Sequence, residues 1–347
     1  MDKKTEDSGS SRRHIWKPLE MKYRHLGKAG PMVSAIGLGR GSQAVKFGEP
    51  LEYEFNETVR RAIDAGITLF DSSDLYWNAR HEVLLGRAVE GRRHKILITT
   101  KFGNIDLPDG KKGTNGRPEY VMSSCEASLQ RLGLECIDIY FMHRIDPNTP
   151  IEDTVGAMSR LVEQGKVRYI GLCEAGPDTL RRAHRVHPLA ALQTEYSLWA
   201  RDCETEILPA CRELGIAYMA YAPLGRGLLT GSIKTVDDLP QNDRRRRHSR
   251  FQPENLKRNA ELVAQLGAMA DQLGVTAAQL ALAWLLAQGE DIVPIPGTNH
   301  VNNLNQNMGA VNVQLSQDDV RKLNAMFAPG KGAGTRYSET ALKGLGI

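Results

Sequence analysis

"LFDSSDLYWNARHEVLLG", residues 69–86, holds one full unit of the pattern that organises this chain. It opens as a short apolar run that ends on Asp71 and continues, from "EVLL", with apolar residues at helical spacing. Between the two halves lie Ser72, Ser73, Asp74 and Tyr76. A carboxylate at a strand end and a phenol a few residues later are costly beside a core unless each is paired. The stretch therefore raises a question of chemistry as well as one of fold.

The same unit recurs outward in both directions. Upstream, a helix over about residues 56–65 puts Val59, Ala62 and Ile63 on one side and ends at Gly66. Downstream come the strand-like runs "KILITT", "CIDIYFM", "VRYIGL", "LAALQTEY", "IAYMAYAPLG" and "DIVPIPG". Helical patterns separate them, over about residues 82–91, 118–132, 151–163, 177–186 and 204–215, the last with a kink expected at Pro209. Further helices are expected over about 253–273, 276–287 and 301–308, and after Ser316 as an N-cap. A hairpin, "MKYRHLG" and "MVSAIGLG" around "KAGP", opens the ordered part.

About eight strand–helix alternations without a linker predict a closed (β/α)8 TIM barrel of class α/β. It carries an N-terminal β-hairpin, extra C-terminal helices and an irregular, Gly-rich C-terminal tail. Residues 1–18 read as a disordered segment and 19–347 as a single domain. "GLGRGS" at 37–42 looks like a dinucleotide fingerprint, but a loop follows it where that motif needs a helix.

The chain has 347 residues, 41% of them hydrophobic, enough for a large core. A net charge of +4 with both signs well mixed argues against nucleic-acid binding, and the basic run Arg244–Arg247 reads as a solvated loop or as a neighbour of an anionic ligand. Five cysteines without CxxC spacing give neither a disulfide framework nor a zinc motif, and no metal is expected. The sequence shows no apolar leader and no apolar stretch long enough to span a bilayer, so a cytoplasmic protein with no membrane partner is expected.

Asp71, Lys101 and His143 each follow an apolar strand, at the end where a barrel places its chemistry, and Tyr76 lies in the loop after Asp71. Singly, each has a plain reading: a cap, a core aromatic, a snorkelling lysine, a structural histidine. Together they form a proton-transfer set. A lysine ammonium lowers the pKa of a neighbouring phenol, an aspartate keeps the lysine charged, and the histidine positions a carbonyl oxygen. Lys101 as a Schiff-base nucleophile is the competing chemistry.

These motifs, with "ITTKFG", "SLQRLGLECIDIYFMHRID", "LVEQGKVRYIGLCEA", "LQTEYSLWARDCETEILPACRELGIAYMAYAPLGRGLLTG" and "VPIPGT", resemble the aldo-keto reductases across about residues 21–328, in particular the branch related to potassium-channel β subunits. The resemblance implies reversible NAD(P)H-dependent reduction of an aldehyde or ketone. It puts the catalytic tetrad on Asp71, Tyr76, Lys101 and His143. It also implies cofactor contacts at Gly39, Asp71, Cys173, Glu174, Gln193, Tyr221 (stacked on the nicotinamide), Ala222, Leu224, Gly225, Gly227, Gly297, Thr298, Asn299, Asn303, Gln306 and Asn307. Asn299 and His300 stand where relatives carry basic residues, which weakens the family's usual NADP(H) preference, while the arginines at 244–247 and Arg250 lie on a loop that can restore positive charge; NADP(H) is expected ahead of NAD(H), with dual use open. Trp77, Trp199 and Arg201, with the loops 41–51, 103–116 and 225–250 and the tail, are the expected substrate walls. Small carbonyl compounds are the expected partners, and homo-oligomers occur among relatives. A nicotinamide-binding auxiliary subunit is the alternative reading.

Overall fold

The computed structural model describes residues 20–41, 52–107, 110–337, 342 and 345. The expectations for residues 1–18, for most of the loop 41–51 and for the end of the tail lie outside them.

In chain order the elements are strands β1 (Tyr23–His25) and β2 (Met32–Ser34), helix α1 (Glu52–Asp64), β3 (Leu69–Asp71), α2 (Arg80–Ala88), β4 (Leu97–Phe102), β5 (Asn104–Asp106) and β6 (Lys112–Thr114). There follow α3 (Pro118–Leu132), β7 (Ile137–Met142), α4 (Ile151–Glu163), β8 (Val167–Cys173), α5 (Pro177–Val186), β9 (Ala191–Glu195), α6 (Ile207–Leu214) and β10 (Ala217–Tyr221). The chain ends with α7 (Pro253–Gln272), α8 (Ala277–Leu286), β11 (Ile292–Pro294), α9 (Val301–Gly309) and α10 (Gln317–Met326).

Seven parallel strands form one sheet in the order β11-β10-β9-β8-β7-β4-β3. Residues 36–39 close it. Leu38 pairs with Phe70 on one edge and Gly39 with Gly297 on the other, both in parallel. Gly37 donates to the Pro294 carbonyl at 2.9 Å, and Asp71 donates to the Leu38 carbonyl at 2.9 Å. "MVSAIGLG" is thus divided: its first residues complete the antiparallel hairpin β1–β2, and its last become the eighth stave. Gly39 and Gly297 serve that closure directly, since a Cβ on Gly39 would strike the Ile295 carbonyl and one on Gly297 the Arg40 carbonyl.

Local chemistry explains the helix limits. Pro118, Pro177 and Pro253 each occupy a first turn, where no donor is lost. Thr276 and Ser316 form reciprocal capping boxes with Gln279 and Asp319. Gly133 and Gly215 end α3 and α6 at positive φ. Three expectations change. α1 begins at Glu52, with Phe55 already facing the core. Pro209 lies in the first turn of α6, because that helix starts only at Ile207, so no kink is required. The loop 103–116 folds back on itself as the antiparallel pair β5–β6.

Two apolar layers result. Strand residues facing outward, such as Phe70, Tyr140, Leu192 and Tyr218, pack under the helices. The alternate residues Leu69, Ile139, Phe141, Ala191, Met219 and Val293 fill the barrel, with Leu26 and Val33 of the hairpin among them. Gly171 makes room in that interior, because a Cβ there would overlap the Phe141 ring.

Candidate active site

The inward register continues past the apolar interior and dictates what lines the mouth. Two residues beyond Leu69 comes Asp71, and two beyond Thr99 comes Lys101. The same count gives His143 after Phe141, Cys173 after Gly171, Gln193 after Ala191 and Tyr221 after Met219. A period of two on parallel strands therefore brings polar residues from β3, β4, β7, β8, β9 and β10 to one opening.

Lys101 is the centre of the cluster. Its fully buried Nζ donates to both Asp71 carboxylate oxygens and to the Ser72 carbonyl, each at 2.7 Å, and lies 3.3 Å from Tyr76 Oη. Burial works against the ammonium, but Asp71 and Tyr76 outweigh it and hold the lysine above its ordinary pKa. Asp71 also accepts from Thr99 Oγ1 at 2.7 Å and from Gln193 Nε2 at 2.8 Å. The carboxylate is thus saturated, as a buried charge requires.

Tyr76 departs from the simple expectation. Lys101 does pull its pKa down, yet burial of the phenol is the larger influence and Asp71 adds to it, so the net direction is upward. The phenol keeps its proton at neutral pH, the form needed by a donor. His143 stands edge-on to the Tyr76 ring, 6.1 Å between centres. Burial first, then Arg144, Lys101 and Arg40, hold its pKa well below the ordinary range, so the imidazole is neutral. Its Nδ1 lies 3.2 Å from Ser73 Oγ, which is also 3.2 Å from Asp74 Oδ1. Burial and Glu82 raise the Asp74 carboxyl to about 7.

Around this centre the remaining expected residues separate into groups. Cys173 is buried and its thiol is pushed up to about 12, so it stays protonated. Glu174 and Tyr221 are held together, Tyr221 Oη donating to Glu174 Oε1 at 2.7 Å. Glu174, Ala222 and Arg226 all adopt positive φ, so backbone strain gathers at this mouth. Ala222, Leu224, Gly225 and Gly227 form the tight turns after β10, with both glycines at positive φ. Thr298, Asn299 and Asn307 are buried, whereas Asn303 and Gln306 lie on the exposed face of α9.

Trp77 packs against Phe55 and His81 in the layer between α1 and α2. Trp199 and Arg201 line a cavity of about 210 Å³ with Arg250, Phe327 and Arg336. There Arg201 is paired with Glu204 and bonded to the Asn324 and Phe327 carbonyls. Within the basic run, Arg245 binds Asp243 and Arg246 binds the Leu239 and Pro240 carbonyls.

Several site residues are given no role in the sequence reading. Ser73, beside His143, is one. Arg40, whose guanidinium carbon sits 4.5 Å from the Tyr76 ring centre, is another. Arg336 and Tyr337 of the tail are the others. Arg336 donates to both Glu174 oxygens at 2.9 and 3.0 Å, and Tyr337 Oη lies 2.8 Å from Tyr221 Oη. An Arg-Tyr pair inside an otherwise Gly-rich cover was the available hint.

The mouth suits a polar ligand that approaches backbone closely. Asn299 Oδ1 is buried without a hydrogen-bond partner, and the Asn299 side chain fills the space a Cβ on Gly41 would need. An amide acceptor left open beside Thr298 and Gly41 fits a nicotinamide dinucleotide. Among the described residues there is no group of three or more His, Cys, Asp or Glu placed to hold a metal ion, and no single helix is long and apolar enough to cross a membrane.

Comparison with known proteins agrees with this geometry. The model of the aldo/keto reductase family matches residues 35–327. A probable aldo-keto reductase from Glycine max is 48% identical over 316 residues, 90% of each chain. A thermostable aldo-keto reductase, solved with the inhibitor epalrestat, superposes with a TM-score of 0.72 at 28% identity, covering 88% of this chain and 100% of its own. A glycerol dehydrogenase from Gluconobacter oxydans gives 0.79 at 25% identity, covering 88% and 95%. The chain belongs to the aldo/keto reductase family. It is an oxidoreductase built on a (β/α)8 barrel, from a family that uses nicotinamide cofactors on small carbonyl compounds.

Proposed function

We propose that this enzyme reduces an aldehyde or ketone to the alcohol, reversibly, with Tyr76 as the proton donor. The observation that carries this reading is the Lys101 ammonium, 2.7 Å from both Asp71 oxygens and 3.3 Å from the Tyr76 hydroxyl. Glu174, Gln193, Tyr221, Thr298 and Asn299 are the residues that would hold the nicotinamide cofactor, which would supply the hydride when bound. The protein's own part is the proton. The Tyr76 hydroxyl donates to the carbonyl oxygen, the phenolate left behind is stabilised by Lys101, and Asp71 keeps Lys101 charged and fixed. Neutral His143, oriented by Ser73, offers its other ring nitrogen to the same oxygen. In the reverse direction the phenolate takes the alcohol proton.

The Schiff-base alternative needs a free amine on Lys101. The Lys101 amine is buried, held by three strong acceptors and pushed up in pKa by Asp71, which works against that. NADP(H) stands ahead of NAD(H) on the positive charge of the loop that carries Arg244, and use of NAD(H) stays open because His300 lies 3.6 Å from Glu54, an acidic neighbour ill suited to a 2′-phosphate.

The test is cofactor oxidation at neutral pH over a panel of aldehydes and cyclic ketones, run with both cofactors. Tyr76→Phe should lower kcat by about 10²- to 10⁴-fold while cofactor affinity persists. Undiminished turnover in that variant removes Tyr76 from the role. Tight cofactor binding by the native chain, with no turnover on any carbonyl, would move the reading to an auxiliary subunit.

A further inference from the structure

Arg40 follows directly on the closing stave, and its guanidinium lies over the Tyr76 ring. The other arginines around the mouth are answered. Glu195 binds Arg226 and Arg250, Glu174 binds Arg336, Asp243 binds Arg245, and Arg144 donates to the His143 carbonyl. Arg40 is different: among the described residues it has neither a hydrogen-bond acceptor nor a carboxylate within ion-pair distance. Asp71, an acid close enough to act on it, is already engaged by Lys101, Thr99 and Gln193. Arg244, also without an ion pair among the described residues, adds like charge to the surroundings of Arg40. Burial and this neighbour both depress the Arg40 pKa.

A half-buried guanidinium with like charge in its surroundings and no acceptor leaves its donors open to a ligand. Its planar fork matches two anionic oxygens. The position sets the reach. The phenol hydroxyl lies on the rim of the ring whose face Arg40 covers, so a ligand with its carbonyl oxygen at Tyr76 Oη can place a second group against Arg40.

We propose that Arg40, with Arg244 nearby, docks an anionic oxygen group at the mouth, namely the carboxylate of an oxo-acid substrate whose carbonyl meets Tyr76. About one to three carbons between the two groups spans the distance. The cofactor diphosphate offers the same chemistry and is the other source of such a group. The inference rests on the carbonyl-reductase reading for the substrate source alone.

The experiment compares the native enzyme with Arg40→Gln and Arg40→Lys. It measures the ratio of kcat/KM for 4-oxobutanoate to that for butanal, cofactor Kd by fluorescence titration, and calorimetric binding of 4-oxobutanoate to the enzyme–NADP⁺ complex. With a substrate carboxylate, the ratio and the calorimetric affinity fall at least about tenfold in Arg40→Gln, Arg40→Lys recovers part of both, and cofactor Kd changes little. With the diphosphate, Kd for NADPH and NADH rises together by about tenfold and the ratio stays. Neither change in a folded variant overturns the proposal. Absence of turnover in the native enzyme would instead sink the carbonyl-reductase reading, and the two binding titrations would still decide Arg40.

Discussion

Asp71 carries more hydrogen bonds than its short side chain suggests, and Lys101 depends on all of them. Asp71→Asn leaves a buried ammonium without its counter-charge. The fold should lose about 3–5 kcal/mol, read from denaturant midpoints; an unchanged midpoint would show that Lys101 sheds its proton instead. Asp74 behaves in the opposite sense. Its carboxyl has an ordinary value of 3.8 and stands at about 7 in the folded chain. Burial is the first cause and Glu82 of α2 the second; Arg131 of α3 and the Ser73 hydroxyl oppose them, and Tyr120 and Tyr140 also face this group. The folded chain therefore keeps a proton that the unfolded chain releases. Stability from this group is fully present below the unfolded value and falls as pH rises toward 7. Asp74→Asn should remove that slope and gain on the order of 1–3 kcal/mol over the native chain by about pH 8, with little difference near pH 4. Parallel losses in both chains would place the titrating group elsewhere.

The turn that carries Tyr76 into α2 is strained. Trp77, Asn78 and Ala79 follow one another at φ 52°, 53° and 67°. Three consecutive left-handed L-residues are disfavoured by clashes at Cβ, and only the packing of Trp77 on Phe55 and His81 gives an evident return. Ala79→Gly removes the clash at a site with no capping bond, and should raise stability by about 1 kcal/mol. A fall in Tm would mean that the lost chain entropy outweighs the relieved strain. Sequence could not announce this turn, because only Asn78 of the three has a tendency to positive φ and its neighbours Trp77 and Ala79 do not. The strands were the opposite case: once the β/α alternation is seen, counting by two along "LFD", "TTK" and "LQTE" puts Asp71, Lys101 and Gln193 inward, and the structure has them there. Helix limits were readable wherever Pro, Ser, Thr or Gly marked them, and less so at α1, which starts without such a residue.

Long-range pairing divides what the sequence disclosed from what it did not. The barrel was legible because each unit repeats a local period. The contacts of Arg336 with Glu174 and of Arg40 with Tyr76 have no period, since each joins a loop to a strand end that only the finished fold makes its neighbour. Arg24 is a third such contact. From β1 it donates to the Leu286, Gly289 and Ile292 carbonyls at 2.7–3.0 Å, fastening the N-terminal hairpin to the last units of the barrel. Arg24→Ala strands those acceptors in a buried setting and should cost about 2–4 kcal/mol, measured by equilibrium unfolding; a loss below about 0.5 kcal/mol would show that water replaces the guanidinium without penalty.

The pairing of Gly39 with Gly297 also sets a schedule for biosynthesis. Residue 39 leaves the ribosome long before residue 297 exists. Until then both margins of the growing sheet stay open to solvent and to neighbouring chains, and the stave at 36–39 has a partner on one side only. The two margins therefore stay unjoined through most of translation, and the mouth acquires its shape only when the final strand arrives.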